Sequence, residues 1–139
     1  MNEEIQKSML KSNTSLVGIK CKNGVVLGAD RRTTAGSIVM SKDSRKIRKV
    51  NDYIAASFTG GVADIQLINK ILAAELRLKE LRTKSRPTVE EAAHLLANLV
   101  YRGIRMPSMI PSIVGTLIAG VDENGEASLY TIEQAGAVV

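Results

Sequence analysis

Apolar residues fall into short runs in the first half of the chain and into helical stripes in the middle. Residues 15–21 (SLVGIKC) and 25–30 (VVLGAD) read as two strands joined by Lys22-Asn23-Gly24. Asn-Gly between two apolar runs is a strong hairpin signal, because both residues tolerate positive φ. Further strands are predicted at 37–40, 46–50 and 53–59, with Asn51-Asp52 turning between the last two. Gly60-Gly61 closes this β region. The period then changes. Over 62–82, Ile65, Ile68, Leu72 and Leu76 form one helical stripe, and Leu67, Ile71, Ala74, Leu78 and Leu81 a second beside it. So wide an apolar face predicts a helix laid on a sheet and touched from its other side too. Lys84 to Pro87 break it. Thr88-Val89-Glu90-Glu91 matches a capping box and starts a second helix running to about Tyr101. Pro107 and Pro111 mark a loop. Strands follow at 113–121 and 127–132 around Asp122-Glu123-Asn124-Gly125, with another beginning at 137–139. Strands, two helices, then strands predict an α+β fold with antiparallel sheet.

Composition narrows the function classes. The chain has 139 residues, 45% hydrophobic and 24% charged, as one soluble globular domain requires. Aromatic residues are 3% and Trp is absent, so the core is aliphatic. The net charge is +5. Its basic clusters (Arg31-Arg32, Lys42 to Lys49, Lys79 to Arg86) contain none of the aromatics that nucleic-acid binding would interleave with them, which argues against such a partner. No segment reaches the ~20 apolar residues of a membrane span. Residues 1–13 carry Glu3 and Glu4 and no apolar core, unlike a secretory signal. One cysteine, Cys21, excludes an internal disulfide and fits a reducing compartment. We therefore expect a cytoplasmic location.

Three residues point to chemistry. Thr14 opens the first strand, Asp30 closes the second, and Lys46 opens a later one. A turn centred on Asn23-Gly24 opposes positions whose numbers sum to about 47, bringing the neighbourhood of Thr14 towards Asp30. A threonine hydroxyl needs a base. Were Thr14 the first residue, its α-amine, with an unperturbed pKa of about 7.7–8.0, would serve. A nearby lysine would lower the pKa of both groups, and an aspartate would hold that lysine charged and oriented. N–H groups at Gly60-Gly61 would bind a developing oxyanion. The plainer readings are a strand entry at Thr14, a surface ion pair at Asp30 with Arg31-Arg32, and a solvated Lys46. His94 reads as a partly buried packing residue, and no Gly-x-Ser-x-Gly supports a triad around it. Cys21 reads as a small core residue. One Cys and one His make no zinc site.

The stretches TSLVGIKCKNGVVLGADRRTTAGSIV, SRKIRKVNDYIAASFTGGVADIQ, AAELRLKELR and IAGVDENGEASLYTIEQAGAVV together resemble the β subunits of the 20S proteasome, most closely the archaeal type. The resemblance runs from Thr14 to Val139. It implies an N-terminal-nucleophile hydrolase fold, a four-layer αββα sandwich of antiparallel sheets, with residues 1–13 as leader or propeptide and 14–139 as the domain. It implies threonine-dependent endopeptidase activity on unfolded polypeptide without cofactor, in a particle of β rings capped by α subunits. By position it makes Thr14 the nucleophile, Lys46 the residue that tunes it, Asp30 the residue that orients Lys46, Arg32 a support, and the Gly60 N–H part of the oxyanion hole. Thr34 would pair its backbone with substrate. Thr33, Arg48, Phe58 and Val62 would shape the pocket for the residue before the scissile bond.

Two departures accompany the resemblance. The family frees its threonine by cutting a glycine–threonine bond, whereas Asn13 precedes Thr14 here, and a β-carbon takes steric room at such a turn. The chain also stops where the family continues with further helices, two strands, and a serine and an aspartate that support the threonine. Two readings stay open: an active enzyme subunit, and a catalytically silent subunit that retains its leader and builds or modulates the ring. The related bacterial single-type peptidase shares the Thr, Lys and Gly positions. The leader and Arg31-Arg32 favour the archaeal type.

Overall fold

The computed structural model describes residues 15–35, 38–42, 45–105, 114–133 and 138. The expected leader 1–13, Thr14 and the loop expected around Pro107 and Pro111 lie outside the described residues. Among the described residues, eight strands and two helices follow in chain order: β1 (Leu16–Cys21), β2 (Gly24–Ala29), β3 (Thr33–Ala35), β4 (Ile38–Ser41), β5 (Ile47–Lys49), β6 (Ile54–Gly60), α1 (Val62–Thr83), α2 (Val89–Arg105), β7 (Val114–Val121) and β8 (Ala127–Ile132). Of the strand predicted at 137–139 only Val138 is described, and it bridges Ile132 antiparallel. β3 has no counterpart in the expected elements. It is short and polar, and carries a register shift between Thr33 and Thr34.

All pairings are antiparallel: a β1–β2 hairpin, a β3–β4 ribbon and a four-stranded sheet ordered β5-β6-β7-β8. Alternation gives the central sheet two apolar faces. One face presents Ile54, Ala56, Phe58, Ile118 and Ile132 to the helices, which answer with Leu72 and Leu76 from α1 and Leu96 and Val100 from α2. The other face lies against the hairpin. A β-carbon at Gly18 would sit 3.0 Å from a Leu129 methyl, a measure of how closely β1 approaches β8. Helices, sheet and sheet make successive layers of the expected α+β sandwich.

α1 divides its apolar face in two. Ile65, Ile68, Leu72 and Leu76 are buried, whereas Leu67, Ile71, Leu78 and Leu81 are exposed. α2 begins as expected at Thr88, whose Oγ accepts from the Glu91 N–H at 3.1 Å. Its box is incomplete, because Glu91 turns instead to an ion pair with Lys79 of α1. A second cap comes from afar: Asp122, in the β7–β8 turn, accepts from the Val89 N–H at 3.1 Å. Beside it, the Arg86 guanidinium stacks 3.3 Å from the centre of the Tyr53 ring and donates to the Val121 carbonyl. Arg86 thus pins the α1–α2 connection to two turns.

Gly120 sits where β7 meets the start of β6, and a β-carbon there would lie 2.4 Å from the Tyr53 carbonyl oxygen. Gly24 has nothing within 4 Å of its would-be β-carbon. Gly120→Ala should therefore lower stability by about 1–3 kcal/mol, the range for overpacking. Gly24→Ala should leave the urea midpoint within error. Equal midpoints for the two variants would show that the β6–β7 approach is not tight.

Candidate active site

The hairpin register builds the site. Leu16 pairs with Ala29 and Cys21 with Gly24, so Lys22-Asn23 form a two-residue loop and Gly24 belongs to β2. This register is tighter by two residues than a turn centred on Asn23-Gly24 gives. A two-residue connection joins antiparallel strands with the least interruption of the ladder. In consequence Ser15, not Val17, stands opposite Asp30.

Asp30 then engages its partner twice. Its N–H donates to the Ser15 carbonyl at 3.2 Å, and its Oδ1 accepts from the Ser15 N–H at 2.9 Å. Its Oδ2 accepts from the Arg32 N–H at 3.2 Å and from Lys46 Nζ at 2.9 Å. One carboxylate therefore holds the chain where it enters β1, the chain where it leaves β2, and a lysine from a third segment. Lys46 arrives because its carbonyl accepts from the Phe58 N–H at 3.3 Å, which extends the β5–β6 ladder by one residue. Its side chain is 11% exposed, against 33% for Asp30, so the ammonium is the more enclosed partner.

The Lys46 hydrogen bond, opposed by partial burial and assisted by the Ser15 and Arg32 N–H groups and the lysine charge, holds the Asp30 carboxyl below its ordinary value of 3.8. Asp30 is thus ionised at neutral pH, with Lys46 Nζ held on its Oδ2. An ammonium oriented in this way can stabilise negative charge developing on a neighbouring oxygen.

The remaining candidates divide. Gly60 ends β6 with φ of 135°, a conformation that favours glycine, and turns the chain through Gly61 into the N-terminus of α1. Its N–H groups come from a strand end next to a helix start, where backbone donors accumulate. Thr33 and Thr34 lie on β3. Arg48 is half-buried on β5 and its Nε is enclosed without a hydrogen-bond partner. Phe58 is 1% exposed, packed into the core beneath the sheet. Val62 is the first residue of α1. Thr14 and Asn13 lie outside the described residues, so the structure joins two of the three expected groups, Asp30 and Lys46, and anchors the residue next to the third.

Two sequence expectations are corrected. His94 is exposed, with Glu90 at 3.9 Å, because it falls on the outer face of α2. Cys21 is exposed at the hairpin end rather than in the core. One contributor escaped sequence reading: Ser15, which only the register identifies. The Asp64 carboxylate lies 3.1 Å from where a Gly61 β-carbon would stand. Among the described residues no group of three or more His, Cys, Asp or Glu is placed to hold a metal, and no helix is long and apolar enough to cross a membrane.

Replacing Asp30 tests the pair. A carboxyl lowered by folding contributes stability that is complete above its unfolded value and disappears as pH falls through the lowered one. Asp30→Asn should be less stable than the parent at neutral pH. The gap between their thermal midpoints should persist to about pH 4 and narrow below it. A gap that stays constant under further acidification would disprove the ion pair.

Known proteins similar to this chain share one family. The family model described as "Proteasome subunit" matches residues 10–139. A proteasome subunit beta of Methanothermobacter thermautotrophicus is 40% identical over 133 residues, covering 96% of this chain and 60% of the relative. One from Nanoarchaeum equitans is 39% identical over 125 residues, covering 90% and 62%. One from Archaeoglobus profundus is 35% identical over 136 residues, covering 98% and 60%. The chain spans about three-fifths of the length of these curated relatives.

Proposed function

The chain belongs to the proteasome subunit family, and from that premise we propose that it is a β subunit of an archaeal-type 20S core, a threonine endopeptidase acting on unfolded polypeptide. In this reading residues 1–13 are a leader and 14–139 the domain, assembled with other β subunits and with α subunits in the cytoplasm. The observation that carries it is the Asp30 carboxylate, which holds both Lys46 and the main chain of Ser15. Thr14 directly precedes that anchor in the chain.

The chemistry follows from these groups. Once the Asn13–Thr14 bond is cut, the Thr14 amine takes the hydroxyl proton and Oγ attacks the substrate carbonyl. Lys46, held charged by Asp30, lowers the cost of the alkoxide, and the Gly60 N–H receives the oxyanion. Collapse breaks the C–N bond, the amine returns its proton to the leaving nitrogen, and water hydrolyses the ester to free Thr14. Arg32 supports the centre through its main-chain bond to Asp30, and Thr34 on β3 offers backbone to an extended substrate. Thr33, Arg48, Phe58 and Val62 border the pocket before the scissile bond. The second reading, a silent subunit with its leader retained, is favoured by the identity of Asn13, which brings a β-carbon where the family has glycine.

The intact mass of the β chain in assembled particles separates the two. A chain beginning at Thr14 supports the enzyme, and one retaining Met1 to Asn13 the silent subunit. In the active particle Thr14→Ala should abolish peptidase activity, and Lys46→Ala should lower kcat by at least about 100-fold. Full activity of Lys46→Ala would remove the lysine from the mechanism. Separately, Asn13→Gly should speed leader release if the β-carbon is the obstacle. An unchanged release rate would mean that the residue before Thr14 is not limiting.

A further inference from the structure

Asn13 does more than place a β-carbon where the family has glycine: it brings a side-chain amide to the residue before the cut. Its Nδ2 and its own carbonyl carbon belong to one residue, and a bond between them closes a succinimide ring. Their meeting is set by covalent connectivity and needs no partner from elsewhere in the fold. The nucleophile therefore has the high effective concentration of an intramolecular reaction. The competing ring closure is attack by the Thr14 nitrogen on the Asn13 side chain, which would release ammonia and leave the chain whole. Thr14 is β-branched, and its extra heavy atom crowds that nitrogen.

The described residues supply what such a step needs beside the bond. The Ser15 N–H is held on Asp30 Oδ1 at 2.9 Å, and Lys46 Nζ on Oδ2 at 2.9 Å. The Ser15 carbonyl accepts from the Asp30 N–H, so the same residue is fixed from its other side. The bond to be cut lies one residue upstream of the Ser15 nitrogen. An ammonium at this point of the chain can stabilise negative charge on a carbonyl oxygen under attack. The Lys46 side chain is 11% exposed, so water screens its field less than it would at an open surface.

We propose that Asn13 releases the leader itself: its side-chain nitrogen attacks its own carbonyl carbon and severs the Asn13–Thr14 bond. The new C–N bond closes the ring as the old C–N bond breaks. One amide proton passes to the departing Thr14 nitrogen, and water later opens the succinimide to asparagine or isoasparagine. The step needs no cofactor and does not use the Thr14 hydroxyl. It yields the free α-amine that the peptidase reading requires. It rests on the reading of residues 1–13 as a leader, and its test is separable from that of peptidase activity.

The test follows the full chain by intact mass during incubation. Thr14→Ala removes the hydroxyl and should still release a leader ending at residue 13. Adding Asn13→Ala to that variant should abolish release, and adding Asn13→Gln instead, which must close a larger ring, should slow it at least about tenfold. The freed leader should end in a succinimide, one water lighter than the acid, or in isoasparagine. Lys46→Met should slow release at least about tenfold, and an unchanged rate would overturn the role given to the ammonium. Release that requires the Thr14 hydroxyl, or a leader ending only in ordinary asparagine, overturns the inference and leaves the peptidase reading standing. A parent chain that keeps its leader overturns it too. A succinimide-ended leader from a chain that cleaves no peptide supports the inference and refutes the peptidase reading. Should Thr14→Ala fail to fold, the chemical form of the parent's leader decides alone.

Discussion

The carboxylate of Asp30 is the constraint on which the site depends. Its two oxygens receive donors from the entrance of β1, the exit of β2 and the segment before β5. These segments belong to two sheets packed face to face, so one side chain ties the layers together at their shared edge. The ion pair also solves a problem that it creates. An ammonium as enclosed as that of Lys46 is unfavourable alone, and a carboxylate with two main-chain donors is held ionised, ready to compensate it.

The rest of the fold holds that edge in place. β6 carries the most consequential residues in a row: Phe58 anchors Lys46 through the backbone, and Gly60 turns the strand into α1. The helices cover one face of the central sheet and the hairpin covers the other, so neither β6 nor β7 is free to shift register. At the opposite end, Arg86, Tyr53, Asp122 and Val121 clamp three connections together. Both ends of the sandwich are therefore closed by polar contacts and its middle by aliphatic packing, as a chain so poor in aromatic residues requires.

Most of the elements were legible because local signals agreed with the global pattern. The two helical stripes of 62–82, the cap at Thr88 and the turn at Asn51 each appear in the structure where a short-range interaction places them. The exceptions have specific causes. β3 is too short and polar for alternation to register. The Glu91 half of the capping box lost to Lys79, a competitor 12 residues away in sequence. His94 looked interior because its sequence neighbours are apolar, and Cys21 because it ends an apolar strand, yet solvent exposure follows a residue's own angular position on the helix or sheet. The exposed half of the α1 stripe shows the same limit from the other side: hydrophobicity predicts that a face wants cover without saying what supplies it.

Sequence alone was enough for the order of strands and helices, the aliphatic nature of the core and the candidacy of Asp30 and Lys46. Those depend on residue type and short spacing, through periodicity, turn chemistry and charge. Tertiary structure decided that Ser15 rather than Val17 faces Asp30, and that Lys46 reaches the same carboxylate from 16 residues away. The reason is physical. Register and long-range charge pairing arise from competition among all the segments that share a sheet, and a shift of two residues preserves every local preference while replacing every partner across the strand.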